Sequence, residues 1–153
     1  MRTFLMTVMF VAIAAAVSAQ DFNKGLAAAQ SGDFATALKE WTPLAEQGNV
    51  HAQSNLALMY IRGDGVTQDY KKALKWYTLA AEQGSAKAQS ELALMYRRGD
   101  GIPQDHKEAV KWFTLAAEQG YDTAQFYLGY IYSNGEGVSV DDEQSVKWYS
   151  LAA

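Results

Sequence analysis

A 36-residue period runs through most of this chain and leaves it few choices of fold. Aligned without gaps, Ala45–Ala80 and Ala81–Ala116 are identical at 25 of 36 positions, and Ala117–Ala152 matches the second copy at 16 of 36. Self-similarity at this length marks a supersecondary unit stacked on copies of itself, because one unit alone would leave an apolar flank in water. A degenerate leading copy is also visible. Gly32-Asp33-Phe34-Ala35-Thr36-Ala37-Leu38-Lys39-Glu40-Trp41, followed by Ala45-Glu46-Gln47-Gly48, reads as a later copy with one residue missing near Pro43.

Within each copy the apolar spacing is helical. Ala52, Leu56, Met59 and Tyr60 fall at i, i+4, i+7 and i+8, and the pattern returns at Ala88, Leu92, Met95, Tyr96 and at Ala124, Leu128, Ile131, Tyr132. This predicts the first helix of each unit. Gly63-Asp64-Gly65, Gly99-Asp100-Gly101 and Gly135-Glu136-Gly137 follow it, the first glycine of each suited to the left-handed conformation that ends a helix. A second stripe, Ala73, Trp76, Tyr77, Ala80, recurs as Ala109, Trp112, Phe113, Ala116 and Ser145, Trp148, Tyr149, Ala152, predicting the second helix, which Gly48, Gly84 and Gly120 close. With a leading pair over about Phe22–Gln30 and Phe34–Gln47, eight helices are expected. Alanines at the crossings let helix axes approach while the aromatic rings fill the space beside them.

The first nineteen residues stand apart. Arg2 is the only charge before Asp21, and Phe4–Val17 is almost wholly apolar, ending in Val17-Ser18-Ala19 with small groups where a signal peptidase cuts. The run is shorter than the roughly 17–25 residues a stable membrane span needs. The expectation is a cleavable secretory leader over 1–19, cleavage near Ala19, a periplasmic or secreted product and no stable membrane insertion.

The pattern Ala-Gln-x-x-Leu-x-x-x-Tyr-x-x-Gly-x-Gly-(Val/Ile)-x-x-Asp, then Ala-x-x-Trp-(Tyr/Phe)-x-x-Ala-Ala, resembles the Sel1-like repeat, a relative of the tetratricopeptide repeat with a longer loop between its helices. The resemblance covers 45–153 as three repeats (45–80, 81–116, 117–153), and 20–44 is similar to a degenerate tetratricopeptide-like leading pair. It implies an all-α, right-handed α/α superhelical solenoid of helix-turn-helix repeats, acting as an adaptor for protein or peptide partners, with first helices lining a concave face. The third copy departs from the pattern, with Val140, Glu143 and Ser145 where the second has Gln104, Lys107 and Ala109.

Chemistry of other kinds finds little support in these residues. A net charge of −4 repels phosphate backbones, so no nucleic acid is expected as partner. The absence of Cys removes disulfides, thiolate zinc sites and thiol nucleophiles. A Cys-rich branch of the family is associated with penicillin binding, but this chain has neither Cys nor a Ser-x-x-Lys motif, and that activity is not carried over. His51 and His106 are solitary and sit at different places in the period. Asp64, Asp100 and Glu136 supply one carboxylate per copy, which suits turn chemistry better than a shared ion. The cluster Asp141-Asp142-Glu143 falls where a second helix begins and favours the positive end of its dipole. No enzyme, cofactor or metal is therefore expected. The alternative reading is a cell-envelope enzyme or carbohydrate-binding factor acting on wall polymer, with Trp76, Trp112 and Trp148 as an aromatic ladder, although their place on the apolar stripe suits packing.

The positions that change from copy to copy are freed from the stacking rule, and they concentrate on the first helices. Asn55 becomes Glu91 and then Tyr127; Ile61 becomes Arg97 and then Ser133; Leu58 and Leu94 give way to Tyr130, and Ser54 and Ser90 to Phe126. A face carrying Asn55, Arg62, Glu91, Arg97 and Arg98 and grading into Phe126, Tyr127 and Tyr130 suits an extended peptide with acidic and apolar groups. At the other extreme of the array, the sequence stops at Leu151-Ala152-Ala153, where earlier copies continue with Glu-Gln-Gly. The expectation there is either a truncated chain or self-association through an open helix face using Val146, Tyr149 and Leu151.

Overall fold

The computed structural model describes residues 21–153, so the expected leader lies outside the described residues. They form eight helices and no strands: α1 over residues 21–30, α2 (Phe34–Glu46), α3 (Val50–Arg62), α4 (Tyr70–Glu82), α5 (Ala86–Arg98), α6 (His106–Glu118), α7 (Asp122–Asn134) and α8 (Asp142–Leu151). Each packs chiefly on its neighbours in sequence, which makes the chain a helical-repeat solenoid with a core shared between successive hairpins. No helix among the described residues is long and apolar enough to cross a membrane.

Helices α2, α4 and α6 begin 36 residues apart, which corrects one expectation. No residue is missing near Pro43. Trp41 stands in the place of Tyr77 and Phe113, and all three rings are buried at the centre of their modules. Trp76 and Trp112 lie at the margin of the core, half-buried, with Trp148 more fully covered; the Lys one residue before each reaches over its ring at 5.0–5.4 Å. The tryptophans thus pack, as their spacing suggests, but the residue after them holds the centre.

Ends of helices follow from local chemistry. Asp33, Asp69, Asp105 and Asp141 accept backbone N–H groups at the starts of the four second helices, and Asn49 and Ser85 do the same for α3 and α5. Tyr121 stands at that place before α7 and provides no side-chain cap. Gly63, Gly99 and Gly135 end α3, α5 and α7 at φ of 72–75°, their N–H groups donating to Met59, Met95 and Ile131.

A feature that the sequence pattern did not disclose locks module to module. Gln53 Nε2 donates to Ala45 O, Gln89 Nε2 to Ala81 O and Gln125 Nε2 to Ala117 O, each at 3.0–3.1 Å and buried. Thirty residues further on, Gln83 and Gln119 donate in turn to Gln53 Oε1 and Gln89 Oε1, both at 2.8 Å. These amides give a second hydrogen bond to carbonyls at the C-terminal ends of the second helices, which also accept the N–H groups of Gly48, Gly84 and Gly120.

Candidate functional site

The first helices present the candidate face, and the three consecutive gaps between them differ in filling. Between α5 and α7 the gap is closed. Arg97 donates from Nε to Glu136 Oε2 at 2.7 Å and from Nη2 to Glu136 Oε1 at 3.1 Å, a forked ion pair, and its guanidinium lies 4.8 Å from the Tyr130 ring centroid and 5.6 Å from that of Tyr127. Tyr127 in turn stacks on Phe113 at 5.1 Å and meets Phe126 edge-on at 5.8 Å; Phe126 also meets Tyr149 at 5.5 Å. The hydrogen bond from Arg97, opposed by partial burial, holds the Glu136 carboxyl below its usual range. His106 Nδ1, buried and without a hydrogen-bond partner, lies 3.9 Å from Glu136 Oε2.

Between α3 and α5 the corresponding residues are Ile61 and Glu91. Burial, and then the Glu91 charge, push the Tyr77 phenol up, while Arg62 opposes them, which sets Arg62 and Glu91 about the same buried ring. Among the described residues Arg62 and Arg98 form no ion pair, and both are exposed.

Between α1 and α3 the gap is open. A cavity of about 290 Å³ is lined by Trp41, Met59, Leu58 and Leu26 along its apolar walls, with Asn55, Arg62 and Asp64 among its polar margins.

The eight residues singled out from sequence are therefore not one uniform surface. Asn55 and Arg62 belong to the α1–α3 cavity, Glu91 to the middle gap, and Arg97, Phe126, Tyr127 and Tyr130 to the closed cluster. Arg98 faces solvent apart from them. The structure pairs Arg97 with Glu136 and not with Glu91. Glu136 is thus more than a turn residue, and the signal for this in the sequence is a lone Asp-to-Glu change against Asp64 and Asp100. Phe126 and Tyr130 remain exposed at 51% and 36% of their surface. The N–H groups of Asp64, Asp100 and Glu136 donate to Met59 O, Met95 O and Ile131 O, backbone bonds that close the turn after each first helix. At the far extreme of the array, Val146 and Leu151 are exposed and Tyr149 is half-buried. No group of three or more potential metal-ligating side chains occurs among the described residues.

Comparison with known proteins agrees with this architecture. The Sel1 repeat family model matches residues 50–85, 86–121 and 122–153, and the chain belongs to the Sel1 repeat family. Among solved structures it is similar to c5321, a protective antigen of uropathogenic Escherichia coli with an SLR fold, at 39% identity and a TM-score of 0.84, over 88% of this chain and 30% of that one. It is also similar to a Sel1 repeat protein of Oxalobacter formigenes, at 35% identity and a TM-score of 0.82, over 86% of this chain and 54% of that one. The chain thus spans about a third and about half of those two proteins. Cysteine rich protein B of Helicobacter pylori shares the fold at 21% identity, with a TM-score of 0.61 over 78% of this chain and 86% of that one. No curated protein matches the sequence.

Proposed function

We propose that the protein is an exported, non-enzymatic adaptor that binds a protein or peptide partner along the face formed by its first helices, the concave face of the solenoid. Sel1 repeat proteins are in general protein-interaction scaffolds. The observation that carries the finer reading is the contrast between two sets of positions on the same helices. Ala52, Ala88 and Ala124 are wholly buried and unchanged from copy to copy, whereas Asn55, Glu91 and Tyr127 differ in chemistry and reach the surface. Stacking needs the first set; the second is available for recognition.

The partner this face suits is an extended segment carrying acidic groups opposite Arg62 and Arg98 and apolar ones opposite Phe126 and Tyr130. Its affinity falls with salt at the arginine side. Arg62→Glu with Arg98→Glu tests the reading, because neither residue is tied into an ion pair of the fold. The double variant keeps its helicity and melting temperature and loses capture of the partner from envelope extract. Undiminished capture by a folded double variant would overturn it.

A further inference from the structure

The open gap between α1 and α3 has the shape of something that the molecule itself supplies elsewhere. Asn55 lies two periods before Tyr127, the ring that stacks on Phe113 in the closed gap. Trp41 lies two periods before Phe113 and forms a wall of the cavity. The loop from α1 to α2 has three residues where the later ones have seven, which moves α1 four residues out of the 36-residue register. Gly25, hard against Trp41, accordingly takes the place that Gly129 takes against Tyr149 and that Ala93 takes in the core beside Phe113. Four residues after Ala93 stands Arg97; four residues after Gly25 stands Ala29. Ala29 and Asn55 therefore leave unfilled the room that Arg97 and Tyr127 fill two modules on. Asp64 corresponds to Glu136 and has no ion pair among the described residues, because the arginine that would reach it is an alanine.

From this correspondence we infer that the cavity is a receptor for one aromatic side chain of the bound peptide, which seats against Leu26 and Leu58 above the buried Trp41 and Met59, in the room that Arg97 and Tyr127 fill two modules on. Arg62, Asn55 and Asp64 at the margin hold the peptide's polar groups on either side of the ring. The volume is sufficient, since an apolar cavity of about 150 Å³ already holds benzene, and the apolar walls make an aromatic ring a better occupant than water. The inference rests on the first-helix face being the binding face, and it names the chemistry of one anchor on it.

The test uses p-cresol, the tyrosine side chain as a free molecule, with the Met59 methyl resonance and Trp41 indole resonance as reporters. The expected result is saturable binding with a dissociation constant on the order of millimolar, as suits so small a ligand, perturbing Met59 and Trp41 and leaving Met95 unchanged. Ala29→Arg with Asn55→Tyr, which transplants the protein's own filling, weakens that binding by about tenfold or more. Asn55→Tyr alone does the same where the double variant fails to fold. Unsaturable shifts, or shifts spread equally over Met59 and Met95, would overturn the proposal, as would undiminished p-cresol binding by a folded, filled variant. If Asn55→Tyr still captures partner while Arg62→Glu with Arg98→Glu does not, the aromatic anchor fails and the adaptor reading survives.

Discussion

Arg97 and Glu136, 39 residues apart in sequence, meet in a forked ion pair that ties α5 to the turn between α7 and α8. Both are about four-fifths buried, and the arginine is covered on another side by Tyr130. A residue that the copy-to-copy variation marks as free for a partner is thus already spoken for within the fold. Glu136→Gln should cost about 1 kcal/mol, above the value for a fully exposed pair because the geometry is forked and partly shielded. Urea unfolding of the variant and the parent checks it.

The same pair makes stability depend on acid. Glu136 has its carboxyl held below its ordinary value of 4.5, chiefly by the hydrogen bond from Arg97. Its contribution is fully present above the unfolded-state pKa and is lost as pH falls through the lower folded-state value. The stability difference between parent and Glu136→Gln should therefore be constant near neutrality and shrink as pH falls below the ordinary value of 4.5 and through the lower folded-state value. A difference that grew on acidification would show that the sign, and hence the pairing, is wrong.

The glutamine ladder predicts a cost at a residue type that usually faces water. Gln89→Leu removes the buried bond to Ala81 O, which keeps the Gly84 N–H, and the acceptor of the Gln119 amide, which keeps Leu115 O, and should destabilise by about 1–2 kcal/mol for the two bonds lost. Gln119→Ala removes the outer bond and one to Leu115 O, both from an exposed residue, and should cost less, about 0.5 kcal/mol. Thermal melts of the two variants give the ordering.

Two glycines with similar left-handed backbones should respond differently to a methyl group. At Gly84, φ is 89° and a Cβ would meet nothing within 4 Å, so Gly84→Ala costs about 1–2 kcal/mol from backbone strain alone. At Gly101, φ is 68° and a Cβ would run into Tyr70, so Gly101→Ala should cost about 3 kcal/mol or more. Equal losses would mean that the α5–α6 turn does not press on the start of α4 as described.

Overpacking tests the crossings. Ala88 and Ala124 are wholly buried where helices meet, and Leu at either should cost about 1–3 kcal/mol, seen as a lower denaturation midpoint.

The helices and their stacking were legible in sequence because a strict period repeats the same alanines, Leu56 with Leu92 and Leu128, and the helix-ending glycines in fixed register. What the period repeats, a reader can find. What it repeats in polar residues was harder: Gln53, Gln89 and Gln125 recur as faithfully as the alanines, but nothing in glutamine's chemistry distinguishes a buried brace from a solvated side chain until Ala45 O and Gln83 are seen beside it. The Arg97–Glu136 pair was illegible for the opposite reason, since it occurs once, between two non-repeating choices. The α1–α3 cavity required the four-residue offset of α1, which comes from a shorter loop and shows only when Gly25 is found against Trp41.

Face-specific photo-crosslinking measures the central claim most directly. Benzoylphenylalanine is placed in one sample at Tyr130 on the first-helix face and in another at the exposed Lys107 of α6, and each protein is irradiated in the cells that make it. Adducts of one defined mass from Tyr130, lost when Arg62→Glu and Arg98→Glu are added, with none from Lys107, are the predicted result. Adducts from Lys107 with none from Tyr130 would contradict the account.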